Sequence, residues 1–142
     1  MSTSNMYSNE YLDELHKGNV DWDNDSFKAV LMDTGYTFDR DTDSTYSDIS
    51  ADELGTGNGY TQNTKTLSNV TVTQSNTNNR FEITFDDVSW TASGGSIGPS
   101  PCMLIIDDTH GSDIVVGCVW FGADRTATDG NTFDVENNSI GE

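Results

Sequence analysis

The sequence predicts an all-β fold, mainly an antiparallel β-sandwich or barrel, with one or two short helices. Three observations lead there. Apolar residues alternate with polar ones over short runs, which is the period of a half-buried strand. Segments of turn composition, "QSNTNN" and "TDGN" among them, separate those runs. Helical spacing is confined to two brief stretches near the first third of the chain. With 142 residues, the chain is read as one domain, 1–142, long enough to bury a single core without staples.

The elements follow in order. Residues 1–7 are polar and read as a flexible N-terminus. Ser8 caps a short amphipathic helix with Tyr11, Leu12 and Leu15 on one face, and Gly18 stops it. "DWDNDSFKAVLMD" passes from a polar turn into a strand. In that strand Phe27, Ala29 and Leu31 point one way, and Lys28, Val30 and Met32 the other. In "DISADELGTGNGYTQ", Ser50 and Glu53 have capping-box spacing, so about one turn of helix is expected there. Gly55 then stands where a helix C-cap glycine belongs. The glycines at 55, 57 and 59 form G-x-G-x-G after a helix. A dinucleotide loop needs G-x-G-x-x-G before one, so a turn is the better reading.

Strands are expected over 67–73 and 81–85, joined as a hairpin with one wet side. Setting Val72 opposite Phe81 places Val70 opposite Ile83. A bulge near Asp86 and Asp87 would return Val88 and Trp90 to the core. A second hairpin, over 102–107 and 114–121, folds about His110. Ile106 then faces Ile114, Leu104 faces Val116, and Cys102 faces Cys118. Met103 and Ile105 meet Val115, Val119 and Phe121 on the far side. Both faces are apolar, so both must be covered, and a partner subunit is one candidate cover. Phe133 and Val135 occupy a last strand after the Asp129–Gly130 turn.

Charge narrows the function classes. The chain carries 24 acidic residues against 6 basic ones, for a net −18, and Asp outnumbers Glu 18 to 6. Such a surface repels phosphate backbones and anionic lipid, so neither nucleic acid nor membrane is an expected partner. Sparse lysine and abundant short carboxylates lean toward adaptation to high salt, where screening shortens the reach of repulsion. No secretory signal pattern opens the sequence, and the apolar run 115–121 is too short to span a bilayer.

Candidate chemistry is thin. "DWDND" and "DRDTDS" imitate the start of a calcium loop. From Asp39 the sixth and twelfth positions are Ser44 and Ser50, and from Asp21 they are Ser26 and Met32. Both fail the EF-hand template, which needs glycine and glutamate there. His16 and His110 have no zinc spacing and no identifiable nucleophile beside them. No catalytic, cofactor or metal residue is assigned. Cys102 and Cys118 are read as cross-strand neighbours, within reach of a disulfide or else small buried hydrophobes.

An ordered series of short motifs resembles small β-rich structural proteins of tailed viruses of bacteria and archaea. It comprises "NVDWDNDSFKAVLMD", Tyr36 and Asp39, "DISADELGTGNGY", "LSNVTVT", "FDDVSW" and "GCVWFGADRTATDGNTF". The likeness runs from about residue 10 to 135. Those relatives continue into a final hydrophobic strand where this sequence reads Ile140-Gly141-Glu142, and they are less acidic. The resemblance implies a non-enzymatic virion component. A head decoration or cement protein on the outer surface is the first expectation, contacting the major capsid protein or other virion subunits, with homo-oligomers possible. Vertex, head–tail joining and tail proteins are the alternatives within that class. From another class comes a carbohydrate-binding sandwich for host attachment, which would need Trp22, Trp90 or Trp120 exposed as a stacking platform.

Overall fold

The computed structural model describes residues 6–136 and 139–141. Strands make up 43% of the structure against two short helices, so the fold is all-β with antiparallel sheets. The elements are β1 (Met6–Tyr7), α1 (Asn9–His16), β2 (Phe27–Leu31), α2 (Tyr46–Ile49), β3 (Lys65–Thr66) and β4 (Thr71–Ser75). They continue with β5 (Arg80–Thr84), β6 (Val88–Thr91), β7 (Ile97–Asp107), β8 (Ile114–Ala127), β9 (Thr132–Val135) and β10 (Ser139–Gly141). The main sheet has the order β1-β8-β7-β2-β3, with β10-β5-β4 and β6-β9 as smaller sheets. The main sheet is open at β1 and β3.

Helix α1 forms where the sequence places it. Ser8 is its N-cap and accepts the Tyr11 N–H at 3.0 Å, which satisfies one of the orphan donors of the first turn. Gly18 follows its end in the left-handed region at φ 81°. The N-terminal expectation needs correction at residues 6 and 7. They form β1, paired with Cys118 and Gly117 of β8, and Tyr7 is buried. The Ser8 N–H donates to the Val116 carbonyl at 3.0 Å and its hydroxyl donates to the Val115 carbonyl. These bonds fasten the start of α1 to the centre of the molecule. Residues 1–5 lie outside the described residues.

Around its tip, over 100–107 and 114–118, the β7–β8 hairpin is buried on both faces, as its double apolar pattern requires, while 122–126 of β8 are exposed. Its register differs from a simple fold about His110. Asp107 pairs with Ile114 and Ile106 with Val115, but Ile105 pairs with Gly117 and Leu104 with Cys118. The bulge between the two pairings absorbs Val116 as an extra residue. An odd shift reverses the face of every residue on one side of it. Ile114 and Val116 therefore join Met103 and Ile105, while Val115 joins Leu104 and Ile106. Cys102 lies opposite Trp120 rather than Cys118.

The chain covers both faces itself, which removes the sequence-based argument for a partner at this hairpin. One face packs against α1, the β4–β5 sheet through Ile83 and Phe85, and β6–β9 through Val88, Trp90, Phe133 and Val135. That is sheet on sheet. The other face is closed by the segment after β2, with Met32, Tyr36, Phe38 and Ile49 over Cys102, Leu104, Ile106, Val115 and Cys118. Strand β2 serves both clusters as its alternation dictates, sending Phe27, Ala29 and Leu31 to the first, and Val30 to the second.

In the β4–β5 hairpin Val72 pairs with Ile83 and Gln74 with Phe81. The turn is two residues tighter than "QSNTNN" suggests, and a shift of two preserves the facing of every side chain. Beyond Phe85 the expected bulge is replaced by a break. The chain leaves the small sheet and starts β6 in another, which still delivers Val88 and Trp90 to the core. Strand β9 carries Phe133 and Val135 inward after Gly130, at φ 87°.

Candidate functional site

The segment 45–63 is organised by a buried carboxylate. The capping box sits at Thr45 and Asp48, five residues before the Ser50–Glu53 pair that the sequence offered. The Thr45 N–H donates to the Asp48 carboxylate at 2.9 Å. Ser50 lies inside the following 3-10 turn, Ser50–Asp52, which releases Glu53 into extended backbone beside Met32. Glu53 is 3% exposed. It accepts the Tyr46 hydroxyl at 2.5 Å, the Tyr60 hydroxyl at 2.6 Å and the Asn63 N–H at 2.9 Å. The Tyr60 oxygen in turn accepts the Leu31 N–H at 2.9 Å. Burial, followed by the hydrogen bond to Glu53, pushes both tyrosine hydroxyls above their usual range. A buried carboxyl group with three donors is tolerated where one without partners would not be.

This network explains the glycines. Gly57 and Tyr60 exchange backbone hydrogen bonds at 2.8 and 3.0 Å, closing a tight turn that aims Tyr60 at Glu53. Gly59, at φ 97°, passes so close to β6 that a Cβ would lie 2.0 Å from the Thr91 carbonyl oxygen. Only glycine fits. Gly55 has no left-handed backbone and nothing near its missing Cβ, so the C-cap expected there is not formed. The loop holds a tyrosine in place, and its neighbouring helix lies before it, opposite to a phosphate cradle.

The two aspartate runs share one geometry. In each, the first aspartate's N–H donates to the fifth residue's carboxylate, Asp21 to Asp25 at 2.9 Å and Asp39 to Asp43 at 2.8 Å. The third residue's N–H donates to the first carboxylate, Asp23 to Asp21 at 3.0 Å and Asp41 to Asp39 at 2.9 Å. The Tyr36 hydroxyl donates to Asp43 at 2.6 Å. A cleft of about 410 Å³ opens beside the second loop, lined by Asp33, Tyr36, Asp39, Asp43 and Asp52. The Asp39 and Asp43 carboxylates are engaged in closing the turn, and no group of three or more ligating side chains is assembled among the described residues.

Asp107, at the end of β7, is fully buried. One carboxylate oxygen accepts the N–H groups of Thr109 and His110 at 3.0 and 3.2 Å. The other, Oδ2, is buried with no hydrogen-bond partner among the described residues. Burial, followed by the contact with Asp25, raises the Asp107 carboxyl to about 6. Nearby, His110 Nε2 meets Glu14 at 2.8 Å, and that bond holds the Glu14 carboxyl below its usual range. His110 thus ties α1 to the hairpin tip. His16 contacts the Leu12 carbonyl of its own helix.

Cys102 and Cys118 are both buried free thiols in the second cluster. The register sets them diagonally, and their contact together with burial raises the Cys102 thiol. Trp90 is buried. Trp22 stacks on Phe27 at 4.0 Å and donates to the Tyr11 hydroxyl at 2.9 Å, and Trp120 packs against the second cluster.

Residue-by-residue motif reading misses one surface feature. Between Glu53 and Asp86 the chain bears only Lys65, Arg80 and Glu82 as charges, a net of +1, so the remaining residues carry −19. This neutral stretch contains β4, an edge strand exposed over four of its five residues. Val72 within it is 44% exposed, the one large hydrophobic side chain so exposed among the described residues. A running charge count along the sequence would have found it.

Comparison of the chain with protein-family models, with curated proteins and with solved structures finds no match.

Proposed function

We propose that this protein is a non-enzymatic structural component of a tailed-virus particle, a decoration or cement protein on the outer surface of the head. One observation carries the reading. The buried residues of the motif series that prompts it serve architecture. Glu53, Tyr60 and Gly59 lock the central loop, and Asp39 closes a turn through Asp43. Val88, Trp90 and Phe133 fill the core. A sequence pattern whose buried members specify scaffold fits a protein selected for shape and rigidity. Such a body docks on a preassembled lattice with little rearrangement.

The test is to add purified protein to undecorated heads and measure binding at saturation. Copy numbers that scale with the capsomers are the expected outcome. Saturation at vertex-like numbers, or binding to tails alone, would replace decoration with a vertex or tail role. Turnover of any substrate by the purified protein would overturn the structural reading altogether.

A further inference from the structure

We infer that the exposed edge of β4 is a self-association surface, on which a second copy of this chain adds its own β4 antiparallel across a two-fold axis. The inference stands apart from the virion reading and rests on three features of the edge. First, among the described residues β4 has one unpaired flank: β5 bonds it on one side and no strand follows it in the sheet order β10-β5-β4. An edge presents a row of N–H and C=O groups able to template another strand. Second, the usual protections are missing. The strand reads Thr-Val-Thr-Gln-Ser, with no lysine, proline or inward charge. The main sheet, by contrast, ends on one side in the two-residue strand β3, too short to recruit a partner.

The third feature selects the occupant. Over most of its surface, one copy meets another as acid against acid, with −19 on each outside the neutral stretch. At β4 that repulsion is relieved, because the strand has no charge and its hairpin partner carries Arg80 and Glu82, which pair with each other at 3.3 Å. A second copy therefore docks there at the lowest electrostatic cost. Centred on Thr73, antiparallel pairing sets Val72 against the partner's Gln74 and Thr71 against the partner's Ser75. The contact is isologous and closes after two copies. Five residues of edge make a small interface, so the dimer is a weak one whose population rises with protein concentration.

Sedimentation equilibrium on the purified protein in molar salt tests this directly. The expected result is a monomer–dimer equilibrium. Thr73→Asp and Val72→Asp, which place like charges across the axis, should each weaken it by about tenfold or more. Asp134→Asn on β9 serves as a control and should leave it unchanged. Thermal melts establish that each variant is folded. Amide exchange adds a readout independent of substitution: protection over 71–75 should grow with concentration in the parent protein. A monomer at every concentration and salt level would overturn the inference, as would a dimer indifferent to both β4 variants.

Discussion

The two hairpins of this chain, β7–β8 and β4–β5, are built from the same alternation and meet opposite fates. Over its tip half, 100–107 with 114–118, the first is dry on both faces, flanked by β1 and β2, and covered by α1, two small sheets and the 32–49 segment. The second offers one face to the core, through Ile83, and leaves β4 open to water along its edge. Continuous apolar sequence demands cover on both sides, and this chain supplies it from a long loop without a partner. Alternating sequence with a neutral edge needs no cover, and so remains available to one.

Substitutions sharpen the contrast most strongly. Leu104→Ala in β7 should cost about 3 kcal/mol, since it opens a cavity in a sealed cluster. Val72→Ala in β4 should change stability by less than about 0.5 kcal/mol, as expected of an exposed side chain. Denaturant titration of both variants measures this, and equal losses would erase the distinction between the hairpins. Glu53→Ala should come next, at about 2–3 kcal/mol. It strands the Tyr46 and Tyr60 hydroxyls and the Asn63 N–H without their acceptor. Glu53→Gln, which keeps one acceptor oxygen, should recover part of the loss.

The acidity around the neutral hairpin gives a smaller, global effect. At net −18, self-repulsion is felt over a longer distance when salt is low. Melting midpoints should therefore rise from low to molar salt, and equal midpoints would remove the case for salt adaptation.

The smallest effect concerns Asp107 at the sealed hairpin's tip. Its folded value of about 6 lies above the ordinary carboxyl range, so proton binding favours the folded state. That contribution is complete below the unfolded value near 4 and is lost as the pH rises through about 6. Asp21, Asp48 and Asp134, held low by hydrogen bonds, act in the opposite sense and lose their contribution at more acid pH. Asp107→Asn cannot ionise and should gain stability relative to the parent between pH 4 and 7. A constant difference across that range would contradict the assignment.

How far the sequence discloses this structure depends on parity. Side-chain facing in β2, β5 and β9 is readable because alternation repeats every two residues, and the two-residue shift at β4–β5 leaves it intact. The single bulged residue Val116 is invisible in a run of apolar side chains, yet it reverses Ile114 and Val115, and with the shifted turn it sets Cys102 and Cys118 on a diagonal instead of face to face. The capping box was legible in kind and misplaced in position. Thr45–Asp48 and Ser50–Glu53 have equal spacing, and only the fold shows that Glu53 is needed as the acceptor for two distant tyrosines. The β4 edge left its trace in charge distribution, while its openness depends on sheet order, which no local pattern encodes.

Hydrogen exchange on dilute, monomeric protein tests most directly the claim that the chain seals one hairpin by itself and leaves the other open. Amides of 102–107 and 114–119 should exchange only through global unfolding, while outward-facing amides of 71–75 should exchange orders of magnitude faster. Comparable rates in the two hairpins, or protection of 102–119 that appears only when another protein is bound, would contradict it.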